Sequence, residues 1–344
     1  MELSPSSLGS ELGPALHAHA SPRGKPPYDV LVIGGGHAGI EAALAAVRLG
    51  ARVGLVSFRL DRLGEMSCNP AIGGQGKGQL VREIDALGGV MGRVTDATGI
   101  QFRMLNGAKG LAVQAPRAQC DRHLYREAVT EILRATAGLE CIEGAVEGLR
   151  ITDSDGPRVD GVRLADGREL LAHAVILTTG TFLAAVMHTG ESRAAGGRIG
   201  EHTSHGLSRD LAALALPVGR LKTGTPPRFA ADSIAWERLT RQPGDARPQP
   251  FSFATQRARF PVQRQVDCHL TYTNPAAHAL IRANIHRAPM YAGRIQGVGP
   301  RYCPSVEDKV MRFAERERHQ VFLEPEGLTT DVVYANGIST SLPC

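Results

Sequence analysis

Cysteine is scarce and irregularly placed. Cys68, Cys120, Cys141, Cys268, Cys303 and Cys344 include no C-x-x-C pair, which argues against a zinc ribbon or a disulfide framework and fits a reducing compartment. Long apolar runs are also missing. No uninterrupted stretch approaches the roughly 20 residues that a membrane span needs, and the first 27 residues lack the basic start and apolar core of a secretory signal. These absences predict a globular, cytoplasmic protein with no membrane contact, and residues 1–27 read as a disordered extension. The histidines show no H-E-x-x-H spacing, so no metal site is predicted. The glycine-rich stretch "MSCNPAIGGQGKGQL" is no phosphate-binding P-loop either, because Ala71 and Gly78 stand where that motif needs Gly and Ser or Thr.

What is present begins at Asp29. "DVLVI" is a β-branched apolar strand, followed by "GGGHAGIEAALAAVRLG" and a second strand "ARVGLVS". Gly34, Gly36 and Gly39 complete G-x-G-x-x-G between a strand and a helix, the context in which that motif binds a dinucleotide. The first glycine turns the chain, the second admits a pyrophosphate, and the third packs the helix on the sheet. The acidic residue expected on the ribose about 20 residues later is replaced by Ser57-Phe58-Arg59. Arg59 on a 2′-phosphate is one reading of that replacement. A second segment points instead to a flavin: a hairpin turning at Asp166-Gly167 leads into a strand that closes on Thr178-Thr179-Gly180. Fingerprint, hairpin and Thr-Gly strand together resemble the two-part FAD-binding domain of the glutathione-reductase superfamily. The fold class predicted is α/β, a Rossmann-like FAD-binding domain of that type with an inserted second α/β domain. Residues 28–220 form the first part, and 221–344, rich in Pro, Gly and Arg, form the insertion and the start of a return.

Longer blocks narrow the family. "MSCNPAIGGQGKGQLVREIDALGG", "QFRMLNGAKGLAVQAPRAQCDR", "GRLKTGTPPR", "GVGPRYCPSVEDKVMRF" and "NGISTSLP" closely resemble the MnmG (GidA) family of FAD-dependent tRNA wobble-uridine modification enzymes. The resemblance implies FAD, NADH and methylenetetrahydrofolate. It implies transfer of a carboxymethylaminomethyl or aminomethyl group to carbon 5 of the wobble uridine of tRNA. It also implies an MnmE-type GTPase partner, in a heterotetramer with a homodimer of the full-length chain. Family members continue past Cys344 into a helical region, so the chain reads as an N-terminal fragment. Two alternatives stay open: a folate-dependent tRNA uridine methyltransferase, and a flavin-containing tRNA or GTPase scaffold without catalysis.

Candidate site residues follow. Asn69-Pro70 reads as a helix start, with Leu80, Ile84 and Leu87 on the apolar face and Gly88-Gly89 at the end. Cys68 then sits beside backbone N–H groups that favour a thiolate. On residues alone a buried structural cysteine is equally open; the family places a functional cysteine here. Cys303, preceded by Arg301, is the second candidate. A thiolate adding to carbon 6 of uracil makes carbon 5 nucleophilic, and two cysteines suit such a sequence of steps, with their roles unassigned. Cys120, Cys141 and Cys268 read as structural. For FAD the resemblance implies Gly34, Gly35, Gly36, His37, Ala38 and Gly39, with Val146 and Ser204. For NAD it implies Gly299, Pro300, Arg301, Tyr302, Pro304, Ser305, Val306, Glu307, Asp308, Lys309, Val310, Met311, Arg312 and Phe313. Arg103, Lys109, Arg117 and Arg122 read either as counter-charges to flavin or phosphate or as a solvated face. The net charge of +5 is regional: residues 190–318 hold 20 Lys and Arg against 11 Asp and Glu, which suits a polyanion such as tRNA.

Overall fold

A computed structural model describes residues 26–153, 156–198, 203–295, 297 and 304–343. Strand β1 (Tyr28–Ile33) enters the glycine turn and helix α1 (His37–Arg48), and the chain returns through β2 (Val53–Ser57). It then leaves the sheet for β3 (Ala71–Gly73), α2 (Lys77–Ala86), α3 (Met91–Thr98), β4 (Gly99–Leu105) and β5 (Ala115–Cys120). Helix α4 (Arg122–Ala135) leads back to β6 (Leu139–Glu143), and β7 (Val146–Thr152), β8 (Arg158–Leu164) and β9 (Glu169–Leu177) form a meander. After β10 (Val186–Thr189), β11 (Ser192–Ala195) and α5 (Gly206–Ala213) comes β12 (Arg228–Ala230). Then follow β13 (Thr240–Gln242), β14 (Cys268–Tyr272), α6 (Pro275–Asn284), α7 (Val306–Arg312), β15 (Gln320–Pro325) and β16 (Val332–Asn336).

The main sheet has the order β6-β2-β1-β9-β8-β7. Its first four strands are parallel and the meander is antiparallel. Strand β9 belongs to both parts: Glu169 to Leu171 pair with β8, and Ala172 to Leu177 pair with β1. Side chains alternate between the two faces of β1, as period 2 demands. Leu31 and Ile33 join the core under the meander and α5; Val32 joins the core under α1 and α4. A parallel strand covered on both faces needs an unbroken apolar run, which is what "VLVI" supplies. The chain leaves α1 through a Schellman turn. Gly50, at φ +87°, donates to the Val47 carbonyl at 2.8 Å and Ala51 to the Ala46 carbonyl at 3.1 Å.

The architecture is the Rossmann-like α/β fold read from the sequence, and a second α/β unit follows it. In that unit α6 and α7 accompany an antiparallel sheet of order β12-β16-β15-β14-β13. This sheet leans on the small sheet β3-β5-β4 of the first part. Gln119 Nε2 donates to the Pro325 carbonyl at 2.7 Å, and Arg117 Nη2 reaches Glu324 Oε1 at 2.8 Å. Asp121 caps α4 by accepting from the His123 and Leu124 amides, and its second oxygen accepts from the Leu328 amide at 2.7 Å.

One local expectation fails. Asn69-Pro70 does not start a helix: Ala71 to Gly73 pair with Arg117 to Gln119 of β5, and the Pro70 carbonyl accepts from Cys120. Helix α2 begins at Lys77, behind Gly76 at φ +75°. Leu80 and Leu87 lie on its exposed side, and its buried positions are Gly78 and Val81. Strand pairing with a distant segment overrides the local cap signal. The 1–27 extension, apart from its last two residues, lies outside the described residues.

Candidate functional site

A cleft of about 390 Å³ runs from the glycine turn to Cys68. The turn divides its labour as the spacing predicts. Gly34 adopts φ +115°, and a side chain there would meet the Thr178 carbonyl at 2.4 Å. Gly39 packs so closely that a Cβ would lie 1.9 Å from the Gly34 carbonyl oxygen. Gly35 is closed off by Leu63 and Ser57, whereas a Cβ on Gly36 would meet no atom within 4 Å. The space in front of Gly36 is therefore open. Gly36 is the N-cap of α1 and provides no side-chain cap, so the helix end presents amides and the positive end of its dipole. Gly34, Gly35, Gly36 and His37 line the cleft, and Ala38 and Gly39 do not.

His37 stays neutral. Burial, reinforced by Lys77, pushes its pKa down to about 3, and its ring meets Tyr125 edge-on at 5.5 Å. Val146 and Ser204, 58 positions apart, also line the cleft. They touch each other: Ser204 Oγ donates to the Val146 carbonyl at 2.6 Å. Thr178, Thr179 and Gly180, at the end of β9, close the same side.

Cys68 also lines the cleft. Its sulfur lies 3.7 Å from the Tyr334 hydroxyl and 3.9 Å from the Gly224 carbonyl oxygen. The helix end expected beside it is absent, since α2 starts nine positions later. The other described cysteines differ from it. Cys120 and Cys268 are buried, and desolvation pushes both thiols up to about 12. Cys141 is raised for the same reason. Cys120 and Cys268 are inert packing groups, while Cys141 is half-buried.

The cations at the cleft are Arg59, Arg62, Lys77 and Arg198, with Glu65 as the acid among them. Arg59 is paired with Asp61 at 2.6 Å. Burial opposes ionisation of Glu65, but Arg122, Arg126 and Arg62 outweigh it and hold the carboxyl below its ordinary range. Lys77 opens onto the cleft and reaches the Ala71 carbonyl at 3.4 Å. Arg103, Lys109, Arg117 and Arg122 do not line the cleft. Arg117 serves Glu324, Arg122 bridges Glu65 and Glu326, and Lys109 is solvated. Lys77 and Arg198 stood in quoted blocks or loops without a role, and nothing in their spacing marked them.

Cys303, Gly299, Pro300, Arg301 and Tyr302 lie outside the described residues. Pro304 is exposed, and Ser305 caps α7 in a reciprocal box with Asp308. Asp308 also accepts from Lys222 at 3.1 Å. Glu307 accepts from Thr340 and Ser341, and Lys309 donates to the Gly337 carbonyl at 2.6 Å. Val306 and Val310 are buried, while Met311 and Phe313 are exposed and Arg312 is exposed. The side chains of the first turns of α7 thus hold the 337–342 loop, and none of residues 304–313 lines the cleft.

Residues 29–344 match the family model described as glucose inhibited division protein A. The chain belongs to that family. It is 56% identical over 316 residues to the tRNA uridine 5-carboxymethylaminomethyl modification enzyme MnmG of Granulibacter bethesdensis, covering 92% of this chain and 50% of the relative. It is 54% identical over 331 residues to the enzyme of the same name from Rhodopirellula baltica, covering 94% and 50%. The GidA structure from Aquifex aeolicus in its form I crystal superposes with a TM-score of 0.84 at 49% identity, over 92% of this chain and 53% of that one. The form II crystal gives 0.82 at 47%, over 92% and 50%. The chain therefore spans about half the length of the family members it matches. No helix among the described residues is long and apolar enough to cross a membrane.

Proposed function

We propose that this chain is the cofactor-binding and thiol-bearing half of a cytoplasmic tRNA wobble-uridine modification enzyme. The observation that carries the reading is one cleft lined by both the glycine cradle and Cys68. The residues fit FAD. The open space at Gly36 and the end of α1 suit its pyrophosphate, and Val146, Ser204 and the apolar walls Ile33, Val56 and Leu207 suit its flat parts. Bound there, FAD supplies two-electron redox chemistry. Residues 28–220 hold it, and 221–344 serve NADH and substrate through residues 299–313. Methylenetetrahydrofolate provides the carbon, an MnmE-type GTPase the partner, and the assembly is a heterotetramer around a homodimer of the longer chain. Cys68 and Cys303 carry the thiol chemistry, one of them on the wobble uridine and the other on the flavin or folate side. One thiolate adds to carbon 6 of the base, the electron pair moves to carbon 5, and carbon 5 becomes able to take the new carbon. The basic stretch 190–318 positions tRNA through phosphates.

Nucleoside analysis of tRNA from cells carrying the full-length protein tests this reading. The parent yields carboxymethylaminomethyl- or aminomethyl-uridine, and Cys68→Ser reduces that product at least about 100-fold while flavin stays bound. Formation of 5-methyluridine would replace the reading with a methyltransferase, and an undiminished product in both Cys68→Ser and Cys303→Ser would replace it with a scaffold.

A further inference from the structure

The loop that carries Cys68 is fastened by two residues of the five-stranded sheet. Arg228 on β12 and Tyr334 on β16 are a directly opposed cross-strand pair. The Arg228 guanidinium lies over the Tyr334 ring, 4.8 Å from its centre, and donates through Nη2 to the Cys68 carbonyl at 2.7 Å. Its Nε is held by Glu326 at 2.9 Å, and Glu326 is held by Arg122 at 2.6 Å. The main chain of Cys68 is thereby fixed from one side. From that same side the Tyr334 hydroxyl reaches the sulfur at 3.7 Å. Tyr334 is 2% exposed, and a buried hydroxyl needs a partner. Among the described residues the Cys68 sulfur is the hydrogen-bond partner it has.

We infer that Tyr334 is the positioning residue of Cys68: its hydroxyl donates to the ionised sulfur, which directs the nucleophile into the cleft and makes loss of the thiol proton easier. The inference rests on reading Cys68 as a reacting thiol. It needs a phenol that stays protonated at neutral pH. Tyr334 meets that need, because burial and then the neighbouring thiol hold its ionisation well above the ordinary range. A donor aimed at the charged form of a group favours that form, and the thiolate is the reactive species. Arg228 contributes twice, by fixing the loop at the carbonyl and by keeping the phenol ring in place beneath it. The opposite polarity, with the thiol donating to the phenol oxygen, predicts that deleting the oxygen leaves ionisation unchanged or makes it easier.

The pH dependence of iodoacetamide labelling at Cys68 separates the two. It is read by peptide mass spectrometry on the purified full-length protein as isolated. In Tyr334→Phe the midpoint of labelling should move to higher pH, with labelling at pH 7.5 about fivefold slower. Cys141 in the same sample should label as before, and the melting temperature should stay within about 2 °C of the parent. An unchanged or lowered midpoint overturns the inference. Site-specific 3-fluorotyrosine at position 334 keeps the packing and strengthens the donor, so it must move the midpoint the other way. A shift in the same direction as Tyr334→Phe, or none, also overturns it. Labelling requires no tRNA and no turnover, so its failure is distinct from failure of the functional reading, which the nucleoside product decides.

Discussion

The glycine turn and the Cys68 loop line the same cleft, yet the first takes its conformation from its own residues, with Thr178 fastening it from the end of β9, whereas the second is shaped from a distance. Six consecutive residues make the turn: a left-handed Gly34, an open Gly36 and a tightly packed Gly39, with β1 before it and α1 after it. The thiol loop has no such self-sufficiency. Its sulfur, its carbonyl and its neighbour Glu65 are fixed by Tyr334, Arg228 and Arg122, residues 266, 160 and 57 positions away. A nucleotide cradle can be encoded as a short motif because backbone conformation does the binding. A reactive side chain needs a shaped surrounding, and here that surrounding comes from another sheet.

The contrast is open to test, and the severest substitution falls in the turn. Gly39→Val puts a branched side chain against the Gly34 carbonyl oxygen, backbone that cannot step aside. It should cost more than about 4 kcal/mol, and soluble yield and thermal unfolding will show whether the turn is as intolerant as its packing requires. On the thiol side, Arg122→Ala removes the cation that Glu65 and Glu326 share, leaving Arg126 and Arg62 on the first and Arg228 on the second. A loss of about 1–3 kcal/mol in denaturant unfolding is expected. A loss below about 1 kcal/mol would mean that the distant clamps do not hold the loop. Gly36→Val sharpens the comparison by separating binding from folding. Its backbone is extended, at φ −82° and ψ −178°, which valine adopts readily, so stability should change by less than about 1 kcal/mol while the flavin absorbance of the purified protein disappears. Flavin retained at parental occupancy would remove the cradle from the site.

The remaining effect is confined to acid pH. His37 is held neutral, with its pKa down near 3, whereas an unfolded histidine takes a proton near 6.5. Below that value the unfolded chain binds the proton that the folded chain refuses, so stability is complete above about pH 6.5 and declines as pH falls toward 3. His37→Gln should flatten that part of a melting-temperature profile. An unaltered slope would show that His37 remains solvated through the cleft.

These contrasts also account for what was legible in the sequence. The segment from β1 to β2 and the hairpin of β8 and β9 follow from local signals: apolar runs of strand length, glycines at fixed offsets, and Asp166-Gly167 at a tight turn. Val146 and Ser204 were reached only through family resemblance, since no spacing reveals a hydrogen bond across 58 positions. Asn69-Pro70 misled because its capping chemistry is sound in isolation, while the pairing that overrides it lies on β5, with partners 44 to 48 positions apart. The same limit hid Tyr334 and Arg228. Both stood next to or within recognisable blocks, but no periodicity links them to Cys68.

Strand β9, shared by the meander and the parallel sheet, has a consequence for biosynthesis. Val30 meets Val53 on one side and Ala174 on the other. A ribosome adding about 5–20 residues per second therefore leaves one edge of β1 bare for roughly 6–24 s after the other edge can pair. An exposed apolar edge invites foreign strands for as long as it lasts. A hairpin closes in about 1–10 μs, far less than the time to add one residue, so β8 and β9 reach that edge already joined. The nascent sheet is completed by a preformed ribbon, and the Asp166-Gly167 turn lets the centre of the fold close as soon as synthesis delivers its last strand.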